Sequence, residues 1–102
     1  MSDDKAALAA LLESSIPGTA HVVRHYLYFP TEDSAGRVAV ALRHGGFSIE
    51  ERLGADEVNW LVLARHEIVP SEELIAATRQ VMESLAARNG GEYDGWEAEV
   101  HK

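Results

Sequence analysis

The 102-residue sequence contains no cysteine. That excludes disulfides and thiolate metal sites and fits a reducing compartment. Proline is scarce: Pro17, Pro30 and Pro70 are the only three, and each follows an apolar or alternating run, where it punctuates the chain instead of breaking an element. No apolar stretch approaches the ~20 residues of a membrane-spanning helix, and no charged n-region and apolar h-region open the chain. The expectation is a cytoplasmic protein without a membrane partner. Positive charge is also short, with nine Lys and Arg against 17 Asp and Glu and a net charge of −8. Arg24, Arg37, Arg43, Arg52, Arg65, Arg79 and Arg88 stand singly. Without a basic cluster a phosphate backbone is repelled, so direct nucleic-acid binding is not expected, whereas a basic protein partner is compatible with the charge.

What is present suits one ordinary core. Hydrophobic residues make up 46% of the chain, and a domain of this length removes roughly two-thirds of its unfolded surface from water. Residues 1–19 read as a helix and its connection. Asp3 and Asp4 cap the start, Ala7, Leu8, Leu11 and Leu12 recur at helical spacing, and Ile16-Pro17-Gly18 closes it. Residues 20–102 read as the main domain. His21 to Phe29 alternates as a strand, with Val23, His25, Leu27 and Phe29 on one face and Val22, Arg24, Tyr26 and Tyr28 on the other. Thr31 caps a helix carrying Ala35, Val38, Ala39 and Leu42, ended by a left-handed cap at Gly45-Gly46. Phe47 to Leu53 and Val58 to Val69 form strands around a loop at Gly54. Ser71 caps a helix with a wide stripe of Leu74, Ile75, Thr78, Val81, Met82, Leu85 and Ala86. Tyr93 to Val100 is the last strand.

After the first helix the order is β-α-β-β-α-β, which predicts an α+β, ferredoxin-like sandwich: a four-stranded antiparallel sheet with two helices on one face. That topology puts the first and third strands in the centre, and these are the apolar ones. The second and fourth carry Glu50, Glu51 and Arg52 and Glu97 and Glu99, as edges protected against aggregation do. The face away from the two helices carries Tyr26 and Tyr28. The first helix packing across it, or two chains pairing through it as a homo-oligomer, is the expected cover.

Chemistry-bearing patterns are sparse. His21 and His25 lie roughly 13 Å apart along a strand, too far for one ion, and no metal site is expected. No G-x-S-x-G elbow occurs. Gly45-Gly46 and Gly90-Gly91 follow helices, whereas phosphate cradles precede them. Glu50 with Glu51, Glu72 with Glu73 and Glu97 with Glu99 fall on wet edges or first turns, so no catalytic residue and no cofactor is expected. The segment Gly90-Gly91-Glu92-Tyr93-Asp94-Gly95-Trp96-Glu97 exceeds what a helix-to-strand turn needs. Parity places Trp96, Ala98 and Val100 towards the core and Tyr93, Gly95, Glu97 and Glu99 away from it, with a bulge at Asp94-Gly95. Glu92, Tyr93, Asp94, Glu97 and Glu99 are then the candidate partner contacts, and Gly91, Gly95 and Trp96 the structural part of the motif.

Through Gly91-Glu92-Tyr93-Asp94-Gly95-Trp96, the run His25-Tyr26-Leu27-Tyr28-Phe29, the Gly46-Phe47 turn and Trp60, residues 20 to 100 resemble the regulator of ribonuclease activity B family, small bacterial inhibitors of ribonuclease E. The resemblance implies the same ferredoxin-like sandwich. It also implies no enzymatic activity and a role in RNA turnover exercised by binding a ribonuclease E-type endoribonuclease. The alternative from another class is a small-molecule-binding protein or enzyme of the dimeric α+β barrel kind, with His25, Tyr26, Trp60 and His66 lining a pocket between sheet and helices.

Overall fold

The computed structural model describes residues 4–14 and 18–99. Its elements are α1 (Asp4–Ser14), β1 (His21–Phe29), α2 (Glu32–His44), β2 (Ser48–Leu53), β3 (Trp60–Ile68), α3 (Glu72–Arg88) and β4 (Glu92–Ala98). The expected caps form. Thr31 is extended and its hydroxyl accepts the Ser34 N–H at 3.2 Å; Ser71 does the same for the Leu74 N–H at 3.1 Å. Glu32, Asp33, Glu72 and Glu73 occupy first turns, and Arg43, His44 and Arg88 last turns, each matching the helix dipole. Gly46, at φ +93°, supplies the left-handed residue after α2, while Gly45 stays at φ −82°. In the β2–β3 connection the Asp56 carboxylate accepts the backbone N–H groups of Asn59 and Val58, each at 3.0 Å. These bonds hold its carboxyl below the usual carboxylate range. Asp3 and Val100, which the sequence places in a cap and in the last strand, lie outside the described residues.

The strands form one antiparallel sheet in the order β2-β3-β1-β4. The apolar strands are central and the charged ones are edges, as the sandwich requires. On β1 burial alternates strictly, with His21, Val23, His25, Leu27 and Phe29 buried. They face α2 and α3. Leu27, Phe29, Val62 and Ala64 meet Ala35, Val38 and Leu42 of α2 and Met82 and Ala86 of α3 in the main core. A smaller core joins Leu8 and Leu11 of α1 to Ile75 of α3, with Ile68, Trp96 and Ala98 packed on it.

Two expectations need correcting here. α1 does not cross the open face of the sheet. Leu8 and Leu11 pack on Ile75 and on Trp96 and Ala98, on the helix side, because the sheet extends past the end of the main core and leaves apolar surface there to cover. The open face carries its own partial cover over the middle of β3 and keeps a groove of about 360 Å³ beside Arg24 and Arg65. Leu61 and Leu63 of β3 point to it yet are buried, flanked in register by Tyr28 and Arg52 and by Tyr26 and Glu50. The stripe of α3 is also narrower than its sequence suggests. Ile75, Thr78, Met82 and Ala86 are buried, but Leu74 and Val81 are 39% and 52% exposed. Each sits one position off the inward line, and α3 meets the sheet along a single ridge.

Gly91 has a packing reason to be glycine. A Cβ built there would overlap the Phe29 ring and the Tyr28 carbonyl oxygen. Gly36, inside α2, is the contrasting case: its nearest neighbour would be Glu51 Oε2 at 3.9 Å. Gly91→Ala is expected to destabilise the fold by about 1–3 kcal/mol through overpacking. Gly36→Ala is expected to stabilise it by about 0.5–1 kcal/mol through helix propensity. Denaturant titration followed by circular dichroism checks both signs.

Candidate functional site

The sequence singled out β4, and the structure explains its motif. Along β1, His25 pairs with Trp96 and Leu27 pairs with Tyr93, with a register shift between them. Tyr26 alone is therefore opposed by two residues, Asp94 and Gly95. This is a bulge of the kind that takes a left-handed glycine, and Gly95 has φ +103°. The extra residue resets the alternation. Trp96 faces the helices as expected, but so does Tyr93, which packs on the main core. The placement of Tyr93 on the outward face is thus corrected: strict parity fails across a bulge. The two aromatics serve the two cores, Tyr93 the main one and Trp96 the smaller one.

Inward-facing Tyr93 completes a polar link that the sequence did not reveal. The His25 ring is 1% exposed. Its Nδ1 lies 2.8 Å from the Tyr93 hydroxyl, and its Nε2 lies 3.0 Å from Nε2 of His66. In its neutral form the imidazole has one N–H and can donate through one nitrogen while accepting through the other. Phe47 covers the pair, its ring centroid 4.5 Å from that of His66. On the far side, Arg79 of α3 places its guanidinium 5.0 Å from the centre of the Tyr93 ring and pairs with Glu83 at 3.8 Å. The chain thus ties β3, β1, β4 and α3 together. Among the described residues no third His, Asp or Glu joins these histidines in a metal-binding group. The sequence groups His25 and His66 only as candidate pocket-lining residues; the β1–β3 register, which pairs His25 with Ala64 and Val23 with His66, brings them onto one face. His21 is likewise buried, its Nδ1 2.6 Å from the Glu99 carbonyl oxygen.

The four residues of the small-molecule alternative are not brought together. His25 and His66 meet, but Tyr26 lies on the opposite face, and Trp60, opposite Phe29 at the start of β3, packs on the main core. Leu27, Phe29, Val38, Leu42, Val62 and Met82 fill the layer between sheet and helices.

The outward residues of β4 fall into two groups. Glu97 and Glu99 pair with Arg24, and Glu97 also accepts the Tyr26 hydroxyl. That hydrogen bond, with burial and the carboxylate's charge, raises the Tyr26 pKa above its ordinary value. Glu92 and Asp94 are exposed and make no ion pair among the described residues. Arg52 is engaged by Glu50 at 2.7 Å, so the open face spends most of its positive charge on its own carboxylates.

The comparison with known proteins decides the family. The model of the regulator of ribonuclease activity B family matches residues 2–98. The chain belongs to that family. A relative from Actinobacillus succinogenes, named regulator of ribonuclease activity B, is 28% identical over 90 residues, covering 84% of this chain. The chain spans 63% of that relative's length. In this chain the Tyr93-Asp94-Gly95-Trp96 run is a bulge with an inward aromatic on either side of it. Among the described residues no helix is long and apolar enough to cross a membrane.

The burial of His66 sets a pH dependence. Burial lowers the His66 pKa below its ordinary 6.5. The unfolded chain therefore takes up this proton at higher pH than the folded one. The stability tied to neutral His66 is fully present above pH 6.5 and is lost as pH falls through the lower folded value. Denaturation midpoints measured between about pH 5 and 7.5 should rise with pH. His66→Gln, which retains a hydrogen-bonding side chain but does not titrate there, should flatten that rise.

Proposed function

We propose that this chain is a non-catalytic, cytoplasmic regulator that binds a ribonuclease E-type endoribonuclease and inhibits it, thereby slowing RNA turnover. Membership of the regulator of ribonuclease activity B family carries the reading. Three features of the chain support it. The layer between sheet and helices is filled with apolar side chains, the net charge is −8, and an acidic strand stands at the sheet edge. Glu92, Asp94, Glu97 and Glu99 face a basic segment of the nuclease. Tyr93 acts from beneath them, holding the strand on the core. Gly91, Gly95 and Trp96 fix its path.

Rim charges of this kind set association rate and salt sensitivity more than final affinity. Binding to the host's ribonuclease E, followed by titration calorimetry or surface plasmon resonance, should weaken steeply as salt rises. The double reversal Asp94→Lys with Glu97→Lys should slow association by about tenfold at low salt, with a smaller effect on dissociation. No binding to ribonuclease E at low salt would remove the specific partner. Binding unchanged by the double reversal would remove these side chains as contacts.

A further inference from the structure

Where β1 runs out, a shallow groove of about 210 Å³ opens, lined by Tyr28, Pro30, Asn59, Gly90, Gly91 and Glu92. It is smaller than the ~300–1,000 Å³ of a pocket for a drug-sized ligand and has room for the end of one side chain. Its chemistry is specific. The register sets Tyr28 directly across from Glu92 on the outward face. The Tyr28 ring is half-buried, and its hydroxyl has no hydrogen bond among the described residues. The Glu92 carboxylate is exposed and has no cation beside it there. The wall between them is bare backbone. Gly91 is held side-chain-free by the Phe29 ring and the Tyr28 carbonyl, and Gly90 turns the chain at φ +73°.

A half-buried tyrosine directly across from an exposed carboxylate that has no ion pair among the described residues is complementary to a planar cation. A guanidinium stacks flat on the ring while its N–H fork reaches the carboxylate; an ammonium can approach either but lacks the planar stack and the fork. The contrast within β4 sharpens the choice. A cation approaching Glu97 or Glu99 must displace Arg24 and, at Glu97, the Tyr26 hydroxyl. Glu92 has no such partner among the described residues. We infer that the Tyr28–Glu92 groove seats an arginine side chain from a basic segment of the protein partner. The inference rests on the reading that the partner is a protein with a basic face, and it adds which residues receive that face and which cation they prefer.

The test uses the full chain and three synthetic peptides, in which a Gly-Ser frame carries arginine, lysine or the neutral isostere citrulline at two positions. Two-dimensional NMR titration of the labelled protein reads the location. The arginine peptide should shift the amides of Asn59, Gly90, Gly91 and Glu92 and the Tyr28 ring resonances. The lysine peptide should bind more weakly at the same place, and citrulline should lose binding. Tyr28→Leu and Glu92→Gln should each weaken the arginine peptide by about fivefold or more. The same two variants should weaken ribonuclease E binding, with thermal midpoints confirming that both are folded. Shifts confined to Glu97 and Glu99, equal binding of the citrulline peptide, or ribonuclease E binding unaffected by either variant would overturn the groove and leave the regulatory reading intact. Arginine-peptide binding in the groove without any ribonuclease E binding would support the groove and count against that nuclease as the partner.

Discussion

The bulge at Asp94–Gly95 is the constraint on which the rest of the molecule depends. Edge strand β4 must deliver an aromatic to each of two cores that lie along the same side of the sheet. Strict alternation cannot put residues three apart on one face. One extra residue can, at the cost of a left-handed backbone that glycine accepts readily. With Gly95 in that conformation, Tyr93 packs under α3 in the main core and Trp96 seals the smaller core against α1. The Tyr93-Asp94-Gly95-Trp96 run is therefore first a solution to a packing problem, with its aromatics inward and Asp94 exposed.

The same bulge carries the polar interior. Because Tyr93 turns inward, its hydroxyl meets His25, and His25 meets His66. A buried imidazole with both nitrogens engaged costs far less than one with a bare nitrogen, so the three strands are held in register by groups that satisfy each other. Above the sheet, Arg79 lies over the Tyr93 ring and connects this interior to α3. The surface then divides electrostatically. The carboxylates at and just past the end of β4, Glu97 and Glu99, pair with Arg24 within the molecule, whereas Glu92 and Asp94 make no ion pair among the described residues. Family membership and this distribution of charge are the basis of the proposed binding role.

Much of the fold was legible in the sequence. Strand β1 showed its inward face through alternation, Thr31 and Ser71 declared two helix starts, and the apolar and charged strands sorted themselves into centre and edges. These are local signals, or sums of local signals. The errors share a cause. The direction of Tyr93 depends on how β4 is registered against β1, and the position of α1 depends on where apolar surface remains once the main core is complete. The exposure of Leu74 and Val81 depends on the ridge along which α3 meets the sheet. The candidate site was half legible. Glu92, Asp94, Glu97 and Glu99 were identified as outward acids, but not that Arg24 occupies two of them.

By itself the sequence determined the element order, the sheet topology and the family, because periodicity, capping residues and a short specific motif are properties of neighbouring residues. Only the tertiary structure decided what those residues face. It set His25 against His66 across 41 positions of chain and against Tyr93 across 68, and it placed Tyr28 beside Glu92. Contacts at such separation follow from strand register and helix docking. A single bulge can reverse them without leaving more than one glycine as its trace.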